Sequence, residues 1–313
     1  MKIPVVDFGA YRLGREEVPD DKLGTIIKEM NKAFTEIGFV YLENTGIEPE
    51  EVKSILDISK TFFFLPEDIK KQFNRSNQPS VPNHGWAPAE TESLNPLRPG
   101  DLKESFNIVS IQPDIMWPSE EVLAGFRRIM ESFFTRCEQL SLRILRVMAL
   151  ILGLDSDYFV NAHKRMNRDK NATTLRTLYY PPVDMSSVKE GQIRCGEHSD
   201  YGTITLVFQS SEGGLEVMNR SGEYISVPHI PGTILINIAD LMQRWTSDYF
   251  VSAKHRVLLP PAEDKNPRQS VAFFVDPDDD AIISCCDNSN KYPPIKTLDY
   301  INERFFVSYG KQD

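Results

Sequence analysis

Long apolar runs are missing from this sequence. No uninterrupted stretch in its 313 residues approaches the roughly 18 that a membrane-spanning helix takes, so no membrane span is expected. Cysteine is scarce. Four cysteines are too few for a disulfide scaffold in a chain this long, and adjacent Cys285 and Cys286 read as packing residues. Positive charge is in deficit: 35 Lys and Arg stand against 45 Asp and Glu, a net charge of −10. That balance argues against a nonspecific nucleic-acid or anionic-membrane partner, yet leaves room for a local basic pocket. The start, Met1 to Asp7, has no apolar signal core. Internal repeats and low-complexity tracts are also absent. These absences lead to the expectation of a soluble, reduced, cytoplasmic protein acting on a small molecule, as a monomer with an oligomer left open.

What is present changes character along the chain. Helical periodicity runs over Asp21 to Thr35 and Glu50 to Phe64, with a buried strand, Phe39 to Leu42, between them. Residues 74–101 interleave Pro79, Pro82, Pro88, Pro96 and Pro99 with Asn, Ser and Gly. His84, Trp86 and Leu94 lie in the same stretch, so it reads as a pocket wall rather than a linker. The longest helical pattern covers 119–152. After about residue 172 the period becomes that of strands: Thr173–Tyr180, Thr203–Gln209, Gly214–Met218, Tyr224–Val227, Thr233–Ile238, Val251–Leu259, Ser270–Val275 and Ala281–Cys285. Short strands separated by Gly, Pro, Asn and Asp predict an antiparallel sandwich or barrel. Tyr300 to Tyr309 returns to a helical pattern. The predicted fold class is α+β, an all-β core with helices. Its segments are a mixed N-terminal region (1–115), a helical buttress (116–170), a β core (171–290) and a C-terminal helix (291–313).

Only five histidines occur, and two have suggestive neighbours. In His198-Ser199-Asp200 an extended backbone would put the imidazole and the carboxylate on one face. His255, in another strand candidate, could supply a third ligand. Two His and one carboxylate on one face of an octahedron suit non-haem Fe(II). Zinc could use the same three, and Cys195 keeps that reading open. Arg268-Gln269-Ser270 follows at the start of an apolar strand. A guanidinium fork beside a hydroxyl matches a carboxylate. A chelating metal with this anchor in adjacent strands would hold a 2-oxo dicarboxylic acid end to end.

These residues lie in motifs that resemble the isopenicillin N synthase-like family of Fe(II)- and 2-oxoglutarate-dependent dioxygenases. Gly196-Glu197-His198-Ser199-Asp200-Tyr201-Gly202 is similar to the first ligand motif. Lys254-His255-Arg256-Val257 is similar to the second, and Arg268-Gln269-Ser270 to the cosubstrate anchor. Towards the N-terminus, Ile3-Pro4-Val5-Val6-Asp7, Asn44-Thr45-Gly46-Ile47 and Asp101-Leu102-Lys103-Glu104-Ser105-Phe106 also match. The resemblance implies a double-stranded β-helix, or jelly roll, buttressed by helices. It implies His198, Asp200 and His255 as iron ligands, with Arg268, Ser270 and Tyr180 binding the far carboxylate of 2-oxoglutarate. Leu178 stands where many plant members carry an asparagine. Fe(II), 2-oxoglutarate and O2 are the implied reactants, with ascorbate as reductant. The implied reaction hydroxylates, desaturates or cyclises a small organic molecule, releasing succinate and CO2. Two alternatives stand beside it. One is an oxidase of the same fold without 2-oxoglutarate, as in isopenicillin N synthase and the aminocyclopropanecarboxylate oxidases. The other is a non-catalytic binding relative.

For the substrate pocket the candidates are Phe274, a wall beside the metal, and Arg176, which shares the strand face of Tyr180. Phe106, Asn83 and His84 are candidates for the entrance. His163 and His229 read as structural, Trp245 and Tyr201 as packing, and Asp276-Pro277-Asp278-Asp279-Asp280 as a solvated turn.

Overall fold

A computed structural model describes residues 2–16, 20–77, 81, 83–109 and 115–309. Pro79 and Pro82 lie outside them, as do Met1 and residues 310–313 of the terminal segments. The first half of the chain forms β1 (Val5–Asp7), α1 (Asp20–Glu36), β2 (Phe39–Glu43), α2 (Pro49–Phe63), α3 (Glu67–Gln72), β3 (Gly85–Ala87), β4 (Glu104–Ile108) and α4 (Phe126–Ile151). The second forms β5 (Thr174–Tyr180), β6 (Cys195–His198), β7 (Ile204–Gln209), β8 (Leu215–Met218), β9 (Tyr224–Ser226) and β10 (Thr233–Ile238). It continues with α5 (Asp240–Trp245), β11 (His255–Val257), β12 (Arg268–Val275), β13 (Ile282–Ile283), β14 (Ile295–Lys296) and α6 (Thr297–Tyr309).

Local chemistry sets the helix ends. At the start of α2 a capping box links Glu48 and Glu51, and Pro49 occupies a first-turn position that needs no N–H partner. The helical periodicity near residue 119 begins earlier than the helix. Gly125 takes φ 75°, and α4 starts only after it. From there Met130, Phe133, Phe134, Cys137, Leu140, Ile144 and Met148 form a buried stripe at helical spacing.

Two sheets make the jelly roll. An eight-stranded sheet runs β1-β2-β10-β7-β12-β5-β4-β3, and a four-stranded sheet runs β6-β11-β8-β9. The N-terminal strands therefore complete the same sheet as the core strands. Pleat parity then decides what each residue faces. On β12, Val271, Phe273 and Val275 join the larger apolar core with α1, α2 and α4. Ala272 and Phe274 point the other way, into the layer shared with Leu215, Val217 and Val257 of the smaller sheet. Tyr41, Leu178, Tyr180 and Leu235 line that inner layer too. The helices thus buttress one face of the large sheet, and its other face is left for chemistry. No helix among the described residues is long and apolar enough to cross a membrane.

Candidate metal centre and active-site cavity

His198 ends β6 and His255 begins β11, and these antiparallel neighbours pair His255 with His198. The imidazole centroids are 4.2 Å apart. Asp200 follows β6 by two residues, and its Oδ1 lies 3.7 Å from His198 Nε2 and 3.6 Å from His255 Nε2. One ligand atom from each residue lies within 4.8 Å of the others, an arrangement that can hold a metal ion. The rest of each side chain is already engaged. His198 Nδ1 faces the Gly196 carbonyl at 2.8 Å and His255 Nδ1 faces the Ala253 carbonyl at 3.2 Å. A carbonyl only accepts, so both Nδ1 atoms carry the proton and both Nε2 lone pairs are free for a metal. Asp200 Oδ2 accepts from Thr205 Oγ1 at 2.6 Å and Asn237 Nδ2 at 2.7 Å, which leaves Oδ1 to the metal.

Electrostatics favours the same state. Burial, reinforced by the neighbouring His255, pushes the His198 pKa down to about 3 and keeps the imidazole neutral. Burial acts to raise the Asp200 pKa, but the two imidazoles and the Thr205 and Asn237 hydrogen bonds outweigh it and leave it lowered. Neutral nitrogens and an ionised carboxylate are what metal binding requires. Cys195 stays out of the group. It is packed in the inner core, and burial raises its thiol to about 12. A nitrogen and oxygen set of this kind suits Fe(II), so the donor chemistry and geometry fit that ion.

Salt bridges fix the strands that carry the ligands. Glu197, beside His198, receives Arg98 Nε at 2.7 Å and Arg256, beside His255, at 3.2 Å. Asp101 Oδ1 accepts the Gly196 N–H at 2.9 Å while its other oxygen pairs with buried Lys103. These contacts tie the 88–103 stretch to β6.

Arg268 and Ser270 share the inner face of β12, opposite Tyr180 and Leu178 of β5. The Arg268 side chain is 1% exposed. Its Nε donates to the Gly213 carbonyl at 2.8 Å, Nη1 reaches Ser270 Oγ at 3.2 Å, and the guanidinium stacks on the Tyr180 ring at 4.8 Å. Among the described residues no carboxylate pairs with it. A buried cation without an acid is costly, and an entering carboxylate would supply the missing partner. The residues present therefore fit 2-oxoglutarate as well as the metal.

A cavity of about 360 Å³ opens beside the triad, lined by His198 and Asp200 and by Asn83, Arg176, Phe274 and Phe305 among others. Arg176 donates from Nε to Asn107 Oδ1 at 2.8 Å, approaches Glu92 at 3.5 Å and stacks on Phe274 at 5.5 Å. Phe106 and His84 are placed elsewhere. Phe106 pairs with Thr177, whereas Asn107 pairs with Arg176, so parity turns Asn107 to the cavity and Phe106 into the helix-side core. There Phe106 meets Phe62 at 4.7 Å and His84 at 5.8 Å. His84 is fully buried, and burial lowers its pKa to about 4.

Three features escape the sequence pattern. Tyr201 lines the cavity, where it meets Phe305 at 5.8 Å and Arg304 at 5.1 Å. Asn107 was hidden in an unremarkable Glu-Ser-Phe-Asn-Ile run. The Asp276–Asp280 stretch is no solvated turn: Asp276 and Asp278 are buried, and Asp278 accepts the backbone N–H of Lys164 at 3.1 Å and of Arg165 at 2.9 Å. His163, by contrast, is structural, bridging the Phe159 carbonyl at 2.7 Å and Thr203 Oγ1 at 3.1 Å.

A jelly roll that gathers two imidazoles and one carboxylate about a single point, with a buried guanidinium beside them, defines a non-haem iron oxygenase. Comparison with known proteins agrees. Residues 171–277 match the 2OG-Fe(II) oxygenase superfamily, and residues 3–134 match the N-terminal region of the non-haem dioxygenases described from morphine synthesis. The chain is 30% identical to a 2-oxoglutarate-Fe(II) type oxidoreductase of Metarhizium rileyi, over 99% of this chain and 92% of that protein. It is 33% identical to a proline hydroxylase of Petromyces alliaceus, over 90% of this chain and 88% of that one. A Neurospora crassa protein crystallised with alpha-ketoglutarate and thymine is 32% identical, with TM-score 0.83, over 97% of this chain and 96% of that one. The chain belongs to the 2OG-Fe(II) oxygenase superfamily and is an Fe(II)- and 2-oxoglutarate-dependent oxygenase.

Proposed function

We propose that His198, Asp200 and His255 hold the iron and that Arg268, Ser270 and Tyr180 bind the 5-carboxylate of 2-oxoglutarate. The cavity bounded by Phe274, Arg176 and Asn83 then takes a small cyclic organic molecule, which is oxidised as succinate and CO2 are released. The observation that carries this reading is the pairing of a preformed three-ligand group with a guanidinium that lacks any described acid partner. A cavity of about 360 Å³ suits a small ring system. Relatives named for proline hydroxylation and crystallised with thymine support a compact, nitrogen-bearing substrate.

Bound iron supplies the one-electron and O2 chemistry. The chain's own residues orient and exclude. Thr205 and Asn237 hold Asp200 in one rotamer, Gly196 and Ala253 fix the imidazole tautomers, and Phe274 walls off the cavity from water. The mixed N-terminal region, the helical buttress, the jelly roll and the C-terminal helix serve as segments of one catalytic unit. A monomer suffices, because one chain lines the whole site. A reducing cytoplasmic setting suits it, since all four cysteines are free and the metal must stay ferrous.

The test is anaerobic calorimetry with 2-oxoglutarate on the metal-loaded chain, followed by a succinate-release screen of small cyclic compounds. Saturable 2-oxoglutarate binding that disappears in His255→Ala and weakens in Arg268→Met is expected. Binding indifferent to both substitutions would sink the assignment.

A further inference from the structure

Thr205 and Asn237 hold the Asp200 side chain, but a second acidic residue holds the segments that carry the ligands. Asp240, the first residue of α5, has a side chain only 16% exposed. Its Oδ2 accepts Ser199 Oγ at 2.9 Å, and Ser199 stands between His198 and Asp200. Its Oδ1 accepts Ser252 Oγ at 2.7 Å, shortly before His255. The Asp240 N–H donates to the Asp200 carbonyl at 2.9 Å. Further along α5, Gln243 Oε1 accepts the Ser252 N–H at 2.6 Å. The two segments that carry the ligands, far apart in sequence, therefore meet on one carboxylate.

That carboxylate needs a counter-charge, because a largely buried anion held by hydroxyls alone is costly. The cation comes from the far end of the chain. Arg304 of α6 donates from Nη2 to Asp240 Oδ2 at 2.6 Å, and among the described residues it is the only cation in an ion pair with Asp240. Its guanidinium also lies over the Tyr201 ring at 5.1 Å, while the neighbouring Phe305 meets the same ring edge-on at 5.8 Å. Leu298, Ile301 and Phe305 of α6 line the cavity. The helix that forms a cavity wall thus carries the charge that completes the anchor of the ligand segments. Lifting α6 would withdraw Arg304 and leave the Asp240 anion uncompensated beside the Asp200 carboxylate.

We infer that Asp240 is a positioning residue for the metal ligands and that Arg304 makes its hold depend on the C-terminal helix, so that metal binding and seating of α6 over the cavity favour each other. The inference rests on His198, Asp200 and His255 being the metal site. Linkage makes the effect reciprocal: the factor by which a seated α6 tightens the metal is the factor by which the metal seats α6.

Co(II) is the probe, since it takes the same nitrogen and oxygen donors and its visible absorption reports their geometry. Chelator competition reads its affinity, and amide hydrogen exchange reads the opening of α6. Arg304→Met is expected to weaken Co(II) by about ten-fold and to alter the absorption, with Arg304→Lys restoring both. In the unaltered chain Co(II) should slow exchange in α6, and Arg304→Met should abolish that protection. A pair that serves the fold alone would lower the unfolding temperature of Arg304→Met and leave Co(II) affinity and spectrum where they were. That result, a lysine that restores nothing, or α6 exchange indifferent to Co(II) in the unaltered chain overturns the inference. Arg304 is partly exposed, so its variants decide the matter even if Asp240→Asn, expected to weaken Co(II) at least as much, does not fold. Failure of the metal-site reading shows separately, as an unaltered chain that binds no Co(II) or binds it equally well after His255→Ala, and it takes the inference with it.

Discussion

Arg268→Met separates function from stability in a way the structure quantifies. In the unaltered chain the guanidinium is 1% exposed and makes only neutral contacts: the Gly213 carbonyl at 2.8 Å, Ser270 Oγ at 3.2 Å and Gln209 Oε1 at 3.4 Å. Methionine has a similar length and no charge. Removing an unpaired buried cation is favourable, while leaving the Gly213 carbonyl without its donor costs about 1–3 kcal/mol. The two effects oppose each other, so the midpoint of thermal unfolding without ligand should move by only a few degrees. Cosubstrate binding behaves differently. Two charge-assisted hydrogen bonds to a carboxylate are worth roughly 1.5–3 kcal/mol each. Losing both weakens 2-oxoglutarate by about 3–6 kcal/mol, or roughly 100- to 20,000-fold at 1.4 kcal/mol per decade. Anaerobic calorimetry reads the affinity and calorimetric unfolding reads the stability. A loss of less than ten-fold in affinity, or a collapse in unfolding temperature, would refute the view that Arg268 is kept for a ligand rather than for the fold.

Asn237→Leu removes one of two hydrogen bonds to Asp200 Oδ2 and should weaken metal binding by about 10–100-fold in a chelator competition; unchanged affinity would deny Asn237 its orienting role. Phe106→Ala should cost about 3–5 kcal/mol of unfolding free energy, because Phe106 is fully buried, yet leave the KM for substrate unchanged in the folded fraction. Asn107→Ala should do the reverse, raising KM with a small stability loss, since it frees Arg176 Nε. For Asp276→Asn the sign follows from a folded-state pKa raised to about 7. The native chain holds the proton more tightly than the unfolded one, so ionising Asp276 destabilises the fold as pH rises from about 4 to 7. The asparagine variant should therefore be more stable than the parent by a few kcal/mol at pH 8, at about 1.4 kcal/mol per pKa unit. That advantage should vanish at pH 4, and an equal advantage at both pH values would contradict the assignment of a buried, unpaired carboxylate.

What could be read in advance, and what could not, divides along physical lines. The gathering of His198 with Asp200 and the shared face of Arg268 and Ser270 were legible because a two-residue period is local, held by one strand in Arg268 and Ser270 and by the extended continuation of β6 in His198 and Asp200. Arg176 was placed on the correct face for the same reason. Phe106 is no entrance residue: Ser105-Phe106-Asn107-Ile108 alternates polar and apolar, and Phe106 and Ile108 belong to the helix-side core, while Ser105 and Asn107 are as buried on the other face. Their burial is made affordable by partners far away in the chain, Arg75 for Ser105 at 2.7 Å and Arg176 for Asn107 at 2.8 Å. No local pattern encodes such pairs, so the burial of the polar Ser105 and Asn107 is not legible in the strand itself. The acidic stretch beyond β12 failed likewise. Its burial depends on the backbone N–H groups of Lys164 and Arg165, more than a hundred positions upstream.

The residues that fold-level reasoning handles worst share a property. Arg268 is buried without an acid, and Asp276 Oδ1 is buried without a donor; each opposes folding in the isolated chain. The scaffold absorbs the strain through two large apolar layers, one on the helix side and one between the sheets. Sites of this kind are where local rules for stability break and where ligands complete the structure. Arg268 lacks an anion among the described residues, and Asp276 Oδ1 lacks a hydrogen-bond donor. A cosubstrate carboxylate would satisfy the first, whereas Asp276 Oδ1 is packed against Gly202 and closed to a ligand. Stability of the chain should accordingly rise with 2-oxoglutarate, a gain abolished by Arg268→Met and left intact by Asp276→Asn.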